Sequence, residues 1–348
     1  MFISGHKYTH EVDLVSGAET IMSTVEKVEP LEDAYGESGT SVGGMLSKIK
    51  KTLGDINDQP LESIKVRDLF AVGTIVPQKV KGGIAGEYSR NQVVGLAAMV
   101  WTDKSLMQDL VTKLRAESKI PVNIGGTEVR MALLGALTTP GVEKPLVILD
   151  MGAGSIDAAS LDSKGNVKFV HLAGAGDMLT MLIDSELDLK DISLAEDIKI
   201  FPAAKVESLF HIKLEDGSLK FFKNPLNGNL LGRVVILKED QEMIPLPKDI
   251  PLEKLISIRK DMKKKIFINN VVRALKRITP NQNLRLIHEI VLLRGSALDL
   301  EIPGIISEFL LINYGVITGR GNIRGKLDPR NAVATGLILS FCQKDEEI

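Results

Sequence analysis

The sequence predicts an α/β protein, and two observations carry that prediction. Three apolar runs, at residues 146–149, 156–161 and 167–172, are separated by glycine and other turn formers, which is typical of neighbouring strands. Residues 254–278 instead repeat apolar side chains every three to four positions, which predicts a long amphipathic helix. Strands and helices that follow one another along a chain favour a sheet covered by helices.

The segments on either side divide the chain into three parts. Residues 1–90 alternate short β-like runs with glycine-rich turns and predict a β-containing domain. Residues 91–142 predict two helices at 91–117, a short strand at 121–124 and a small-residue helix at 128–137. Residues 143–348 form the main unit, within which residues 190–250 are more polar and predict an insertion of exposed hairpin strands.

Composition excludes several classes of function. The 348 residues carry a net charge of −2, whereas general nucleic-acid binders have a basic surplus. The longest apolar runs, such as residues 93–101, are about half of the ~20 residues that a membrane span needs. The chain has a single cysteine, Cys342, and begins without the features of a signal peptide. We therefore expect a cytoplasmic protein that binds neither nucleic acid nor membrane.

The most informative segment follows the first of the three predicted strands. The strand is followed directly by Asp150, and the chain continues through Gly152, Gly154 and Ser155 to Asp157. Glycines allow backbone N–H groups to turn toward an anion, and the serine hydroxyl adds a donor. The two carboxylates are of the type that holds Mg²⁺ through its waters. This segment predicts a phosphate loop, although a glycine-rich turn after a strand is often purely structural.

A second pair of glycines, Gly174 and Gly176, follows the third predicted strand. Asp177 comes next and is a favourable N-cap for an apolar helix from Met178. A helix N-terminus preceded by glycines is a second anion-binding candidate.

Two features nearer the C-terminus are candidates for contact with a nucleoside. Gly295 and Ser296 follow an apolar run at residues 290–293, either as a nucleoside contact or as an ordinary strand-to-helix turn. The helix at residues 254–278 is strongly basic, and most of its cations are expected on a solvated face. Lys263 and Lys265 are the two that we expect to contact a nucleotide.

The order of these elements is similar to that of the actin-like (ribonuclease H-like) ATPase superfamily. Longer motifs resemble the large, ATPase subunit of the diol/glycerol dehydratase reactivating factor, in its C-terminal part. They are residues 36–46 (GESGTSVGGML), 125–128 (GGTE), 135–141 (GALTTPG), 150–158 (DMGAGSIDA), 171–178 (HLAGAGDM), 204–210 (AKVESLF), 321–325 (GNIRG) and 329–336 (PRNAVATG). The likeness runs from about residue 11 to about residue 340.

This resemblance implies a fold and a function. The fold would be the second lobe of an actin-like ATPase at residues 143–348, with residues 91–142 as a remnant of the first lobe and a hinge helix, and a swivelling or linker-like domain at residues 1–90. The function would be chaperone-like, using ATP/ADP and Mg²⁺ to release damaged cobalamin from a coenzyme-B12-dependent dehydratase. A small subunit would be a partner, and we expect an oligomer. Asp150, Asp157 and Glu128 would be the catalytic residues, with Glu128 orienting the attacking water.

Two departures from the family pattern leave a second hypothesis open. The first phosphate loop of the family is not found in residues 1–90, and Arg294 stands where the family pattern has glycine. A long side chain at that position would either block the base or reach a phosphate. The alternative to an ATPase component is therefore a non-catalytic interaction module. A small-molecule kinase of the same superfamily is a weaker third possibility, since no sugar- or acid-binding segment supports it.

Overall fold

The structure is a computed structural model of the chain. It describes residues 2–5, 9–11, 31–33, 51, 60, 65–79, 88–101, 106–239 and 242–345. The first described element is a small antiparallel sheet of β1 (Phe2–Gly5), β2 (Thr9–Glu11) and β3 (Leu31–Asp33), in the order β2-β1-β3. Strands are therefore present in the region predicted to be a β-containing domain.

A long antiparallel hairpin follows, formed by β4 (Lys65–Lys79) and β5 (Tyr88–Trp101). The strand expected around residues 66–77 is confirmed. The helix expected across residues 93–100 is wrong, because β5 pairs with β4 along that whole stretch. Valines recur there at helical spacing, but their branched side chains also suit a strand, and pairing with β4 decides between the two. The second predicted helix is confirmed as α1 (Leu106–Ser118), and residues 121–124 form no strand.

The central sheet contains the three strands that the sequence predicted. β6 (Leu146–Met151), β7 (Ser155–Leu161) and β8 (Val167–Ala173) form an antiparallel meander. β14 (Glu289–Leu293) pairs parallel with β6, and β15 (Ile317–Arg320) pairs parallel with β14, which gives the order β15-β14-β6-β7-β8. β6 is buried along nearly its whole length because helices cover both faces of the sheet.

Helices α3 (Gly176–Leu187) and α4 (Ile192–Ile200) follow the meander on one face. The predicted long helix is confirmed as a continuous rod of α5 (Leu252–Lys263), a π-helical segment Lys264–Ile268 and α6 (Asn269–Ile278). The later helix α7 (Ile302–Tyr314) packs into the same core. In the described ranges no helix is long and apolar enough to cross a membrane.

The expectation that the basic helix faces solvent is wrong for three of its cations. Arg259 and Lys263 are fully buried, and Arg273 is 5% exposed. Arg259 donates to Glu301 and Glu215, and Lys263 forms ion pairs with Asp299 and Glu301. Since buried charges are tolerated only when paired, these contacts explain how the helix buries Arg259 and Lys263.

Residues 203–245 form a second, antiparallel sheet. Its strands are β9 (Ala203–Ser208), β10 (His211–Leu214), β11 (Leu219–Phe221), β12 (Val234–Leu237) and β13 (Met243–Pro245), in the order β11-β10-β9-β12-β13. Hairpin strands were predicted here, but as exposed ones. Val206, Ile212 and Val235 are fully buried and give this sheet a core of its own.

Two small-residue helices, α2 (Glu128–Ala136) and α8 (Ala332–Asp345), cover the other face of the central sheet. They approach so closely that a Cβ added at Gly336 would lie 1.9 Å from the Met131 carbonyl oxygen. A Cβ at Gly135 would lie equally close to the Ala332 carbonyl oxygen. Glycine at both positions therefore allows the two backbones to touch.

Candidate functional site

The segment predicted as a phosphate loop is the turn between β6 and β7. Gly152 N–H donates to the Ser155 carbonyl at 3.0 Å and closes the turn. Within the described part of the chain, the N–H groups of Ala153 and Gly154 donate to no backbone or side-chain acceptor. A Cβ at Gly154 would meet nothing within 4 Å, so the tip of the turn faces open space. Two backbone donors at this tip are thus available to an anion.

Asp150 and Asp157 are directly opposite one another on β6 and β7. They are 3% and 4% exposed, so two carboxylates share a site that is almost dry. Burial, and then the charge of Asp157, raise the pKa of Asp150 to about 7. Asp157 also shares a hydrogen bond with His171 Nδ1. Such a pair is energetically costly without a cation, which makes it a natural place for one.

The second glycine pair lies directly against the first turn. Gly174 N–H donates to the Gly154 carbonyl at 3.0 Å, Gly176 N–H donates to Gly152, and Asp177 N–H donates to Ala153 at 2.8 Å. The N–H groups of Gly174, Gly176 and Asp177 therefore join the two loops, and that of Gly152 closes the first turn, which leaves the donor role to the loop tip.

The prediction that Asp177 caps a helix starting at Met178 is wrong. Helix α3 begins at Gly176, its N-cap is Ala175, and no side chain caps it. The helix therefore starts two residues earlier than predicted, where the N–H groups of Gly176 and Asp177 donate to the first loop. Asp177 is exposed in the first turn, where its charge still complements the helix dipole.

The backbone of the second glycine loop is hydrogen-bonded by residues that no sequence motif marks. Asp68 of β4 accepts a hydrogen bond from Ala173 N–H at 2.9 Å, and Asn270 donates to the Ala173 and Gly174 carbonyls at 2.7 and 2.6 Å. Gly174 has φ +92° and lies against Phe70, where a Cβ would approach the ring within 2.5 Å. The hairpin and helix α6 thus hold the backbone of this loop in place.

Lys199 supports the same loop from α4. Its ammonium donates to the Gly176 carbonyl at 3.2 Å and to Thr180 Oγ1 at 2.9 Å, and it pairs with Glu196. A lone lysine in an apolar helix carries no sequence pattern that would mark it. The roles of Asp68 and Asn270 likewise cannot be recognised from the sequence, because their contacts join segments about 100 residues apart.

Glu128 and Asp150 are brought together by Arg294. Arg294 Nε lies 2.9 Å from Asp150 Oδ1, and Arg294 Nη2 contacts the Glu128 carboxylate. Glu128 begins α2 and is half exposed, whereas Asp150 is buried. The guanidinium favours the charged form of Asp150 and so opposes the rise in its pKa. The sequence left two alternatives for Arg294, blocking the base or reaching a phosphate, and the contact with Asp150 and Glu128 is neither of them.

The candidate nucleoside contacts have different environments. Gly295 and Ser296 form a 3₁₀ turn directly after β14 and Arg294, so they are adjacent to the acidic pair. Lys265 is half-buried in the π-helical segment. Lys263 is fully buried, and its ammonium is already engaged by Asp299 and Glu301. Lys263 therefore supports the fold in this structure and has no exposed group to offer a ligand.

The acidic pair suits a magnesium ion carried by a phosphate ligand. The described residues contain no group of three or more His, Cys, Asp or Glu arranged around a metal position. Magnesium typically keeps several waters and takes one or two carboxylates plus substrate phosphates, so Asp150 and Asp157 would suffice. A separate cavity of about 430 Å³ lies at the other end of the sheet, around Leu146, Leu161 and Ile287. It is remote from both glycine loops.

Comparison with known proteins decides the family. A family model described as the diol dehydratase reactivase ATPase-like domain matches residues 12–341. The chain belongs to this family. The reactivase assignment made from the sequence motifs is thereby confirmed.

Similar reactivases extend well beyond this chain. The large subunit of the diol dehydratase-reactivating factor of Klebsiella michiganensis is 49% identical over 330 residues, which are 95% of this chain and 54% of that protein. The propanediol dehydratase-reactivating factor large subunit of Salmonella typhimurium is 48% identical over 333 residues, with 96% and 54% covered. The chain therefore spans about half the length of these curated relatives.

Solved structures confirm the fold. A structure described as glycerol dehydratase reactivase superposes with a TM-score of 0.89 at 46% identity and covers 98% of this chain and 56% of that one. A diol dehydratase-reactivating factor in nucleotide-free form matches with the same TM-score at 47% identity, covering 98% and 56%. The predicted α/β ATPase-like fold of this family is thus the fold of the chain, while the domain boundaries and site residues remain predictions.

Proposed function

We propose that this chain is the nucleotide-binding part of a reactivase large subunit. The observation that carries this proposal is the pair of joined glycine loops beside Asp150 and Asp157. ATP or ADP would bind with its phosphates at the N–H groups of Ala153 and Gly154, and with Mg²⁺ at the two carboxylates. Glu128 would orient the attacking water, Ser155 would add a donor, and Gly295, Ser296 and Lys265 would face the nucleoside.

The biological role follows from the family relationship. A reactivase of this kind would act as a chaperone in the cytoplasm, releasing damaged cobalamin from a coenzyme-B12-dependent diol or glycerol dehydratase with the help of ATP. The small subunit of the reactivase and the dehydratase would be its partners. Its relatives are named as large subunits of reactivating factors, and this naming supports both partners.

Calorimetry tests the nucleotide site. ADP is titrated with Mg²⁺ into the intact chain, into Asp150→Ala and into a control, Asp162→Ala. Asp162 lies in the exposed β7–β8 turn, where it accepts hydrogen bonds from Lys164 and Asn166. We expect binding that weakens at least about ten-fold in Asp150→Ala and is kept in the control. Absence of ADP binding by the unchanged chain would refute an autonomous site.

A non-catalytic interaction module is the second candidate function, and Arg294 favours it. Its guanidinium bonds to both Asp150 and Glu128, the two residues assigned to metal positioning and water orientation. Hydrolysis depends on those groups being available to the reacting atoms. A steady ATPase rate that Asp150→Ala abolishes would exclude this candidate, whereas ADP binding without turnover would support it.

A further inference from the structure

The backbone at Arg294 is unusual for an arginine. Arg294 follows the last residue of β14 with φ 69° and ψ −168°, a region used almost only by glycine. Residues in such regions are strained and persist only where the surroundings hold them. The N–H of Arg294 donates to the Pro329 carbonyl at 3.3 Å, which is a long bond. The backbone contact alone is a weak restraint.

The side chain supplies the stronger restraint. Its guanidinium reaches Asp150 at the end of β6 and Glu128 at the start of α2, so one side chain joins three elements. Arg294 is about one-third exposed and Asp150 is almost fully buried. A charge-assisted hydrogen bond to a buried carboxylate is among the stronger polar contacts in a protein. These contacts place a positive charge beside the paired carboxylates Asp150 and Asp157.

A guanidinium and a metal ion cannot both use the same side of the Asp150 carboxylate. Arginine has only donors and stays charged, so it cannot coordinate a cation and repels one nearby. We propose that Arg294 is a built-in cation that competes with Mg²⁺ for Asp150, so that the metal-nucleotide complex binds only when Arg294 releases that carboxylate. This inference rests on the proposed nucleotide function for its biological meaning, but the competition itself concerns only the metal and the chain.

The competition is measured without nucleotide by using Mn²⁺ as the probe. Electron paramagnetic resonance of free Mn²⁺ gives its affinity for the intact chain, for Arg294→Gly and for Arg294→Gln. Losing one charge-assisted hydrogen bond to Asp150 is expected to raise Mn²⁺ affinity about ten-fold or more in both variants. The gain should vanish when Asp150→Ala is added to either variant.

Arg324→Gly is the matched control. Arg324 is an exposed arginine that also has a positive φ, of 55°, but it belongs to a loop that bonds to Thr138. Its replacement removes a cation and relieves a positive φ without touching Asp150. We expect unchanged Mn²⁺ affinity. Arg294→Gln keeps a polar side chain without the positive charge, and it provides the measurement if Arg294→Gly fails to fold.

The outcomes separate this inference from the proposed function. Equal Mn²⁺ affinity in the intact chain and the folded Arg294 variants would overturn the competition, as would undetectable Mn²⁺ in all of them. A gain that survives Asp150→Ala would also overturn it. ADP calorimetry on the same samples is read separately: a gain in Mn²⁺ affinity without any ADP binding would leave the competition standing and remove the nucleotide proposal.

Discussion

Replacing Asp68 should damage both the stability of the chain and its second glycine loop. Asp68 is 1% exposed on the β4–β5 hairpin. It lies 2.8 Å from Arg273 and 3.6 Å from Arg277, and it accepts the hydrogen bond from Ala173 N–H. Burial raises the pKa of Asp68, while the two arginines oppose that rise by favouring the carboxylate. The carboxylate is therefore the counterion of two guanidinium groups in a dry place.

The expected loss of stability follows from the buried groups that each substitution leaves unpaired. Asp68→Asn keeps the shape and an acceptor for Ala173 N–H but strands the arginine charges, which typically costs about 3–5 kcal/mol. Asp68→Ala also removes the acceptor, and an unsatisfied buried N–H adds about 1–3 kcal/mol. We therefore expect both variants to be destabilised, with Asp68→Ala the worse of the two. An exposed aspartate, Asp249, provides the control, since Asp249→Asn should change stability by less than about 0.5 kcal/mol.

Urea denaturation followed by circular dichroism measures these differences. The double variant Asp68→Asn with Arg273→Met closes a cycle, and a coupling free energy of about 1 kcal/mol or more is expected because the two side chains are in contact. A cost below about 1 kcal/mol for Asp68→Asn, or a coupling near zero, would show that the hairpin does not hold the loop through this pair. ADP affinity of the folded Asp68→Asn protein should also fall, since Ala173 leads directly into the second loop.

Three further predictions concern other parts of the molecule. Gly336→Ala should destabilise the chain by about 1–3 kcal/mol or more, because its Cβ would overlap the Met131 carbonyl oxygen. Gly304→Ala in α7, whose Cβ would meet nothing within 4 Å, should instead stabilise the chain by about 0.5–1 kcal/mol. Thermal melts compare the two variants, and equal melting temperatures would contradict the close helix contact. Asp150 contributes stability that is present in full below about pH 3.8 and is lost as the pH rises through about 7, because its pKa is raised on folding. Asp150→Asn should remove that decline in the free energy of unfolding, which is up to about 4 kcal/mol at pH 8 and smaller to the extent that Arg294 stabilises the carboxylate. Urea titrations at several pH values measure it, and a decline that persists in Asp150→Asn would belong to other groups. Arg259→Met should cost about 3–5 kcal/mol, since it removes the cation paired with Glu215 and leaves Glu301 with Lys263 alone. A loss under about 1 kcal/mol in the same assay would contradict the buried pairing.

The parts of the fold that were predictable are those determined by local pattern. The β6–β8 meander and the rod at residues 252–278 have clear turn residues or clear helical periodicity, and both are present. The valine spacing in β5 fits both a helix and a strand, and the partner strand that decides between them lies in a separate segment. The burial of Arg259 on the rod could not be predicted, because its acidic partners Glu215 and Glu301 are distant in sequence.

The candidate site shows the same division. Its glycine loops and acidic pair belong to one short segment and could be selected from the sequence. The support from Asp68, Asn270 and Lys199 depends on three-dimensional packing, and no spacing rule marks it. Arg294 was recognised as a departure from the family pattern, but only the structure shows that its guanidinium reaches Asp150 and Glu128.

Hydrogen exchange with and without ADP and Mg²⁺ tests the nucleotide site most directly. We expect nucleotide to slow exchange in residues 150–157 and 173–177, where the two glycine loops meet. The exchange of residues around the cavity at Leu146, Leu161 and Ile287 should not change. Slowed exchange confined to that cavity, or no change anywhere at saturating ADP, would contradict a nucleotide site at the joined loops.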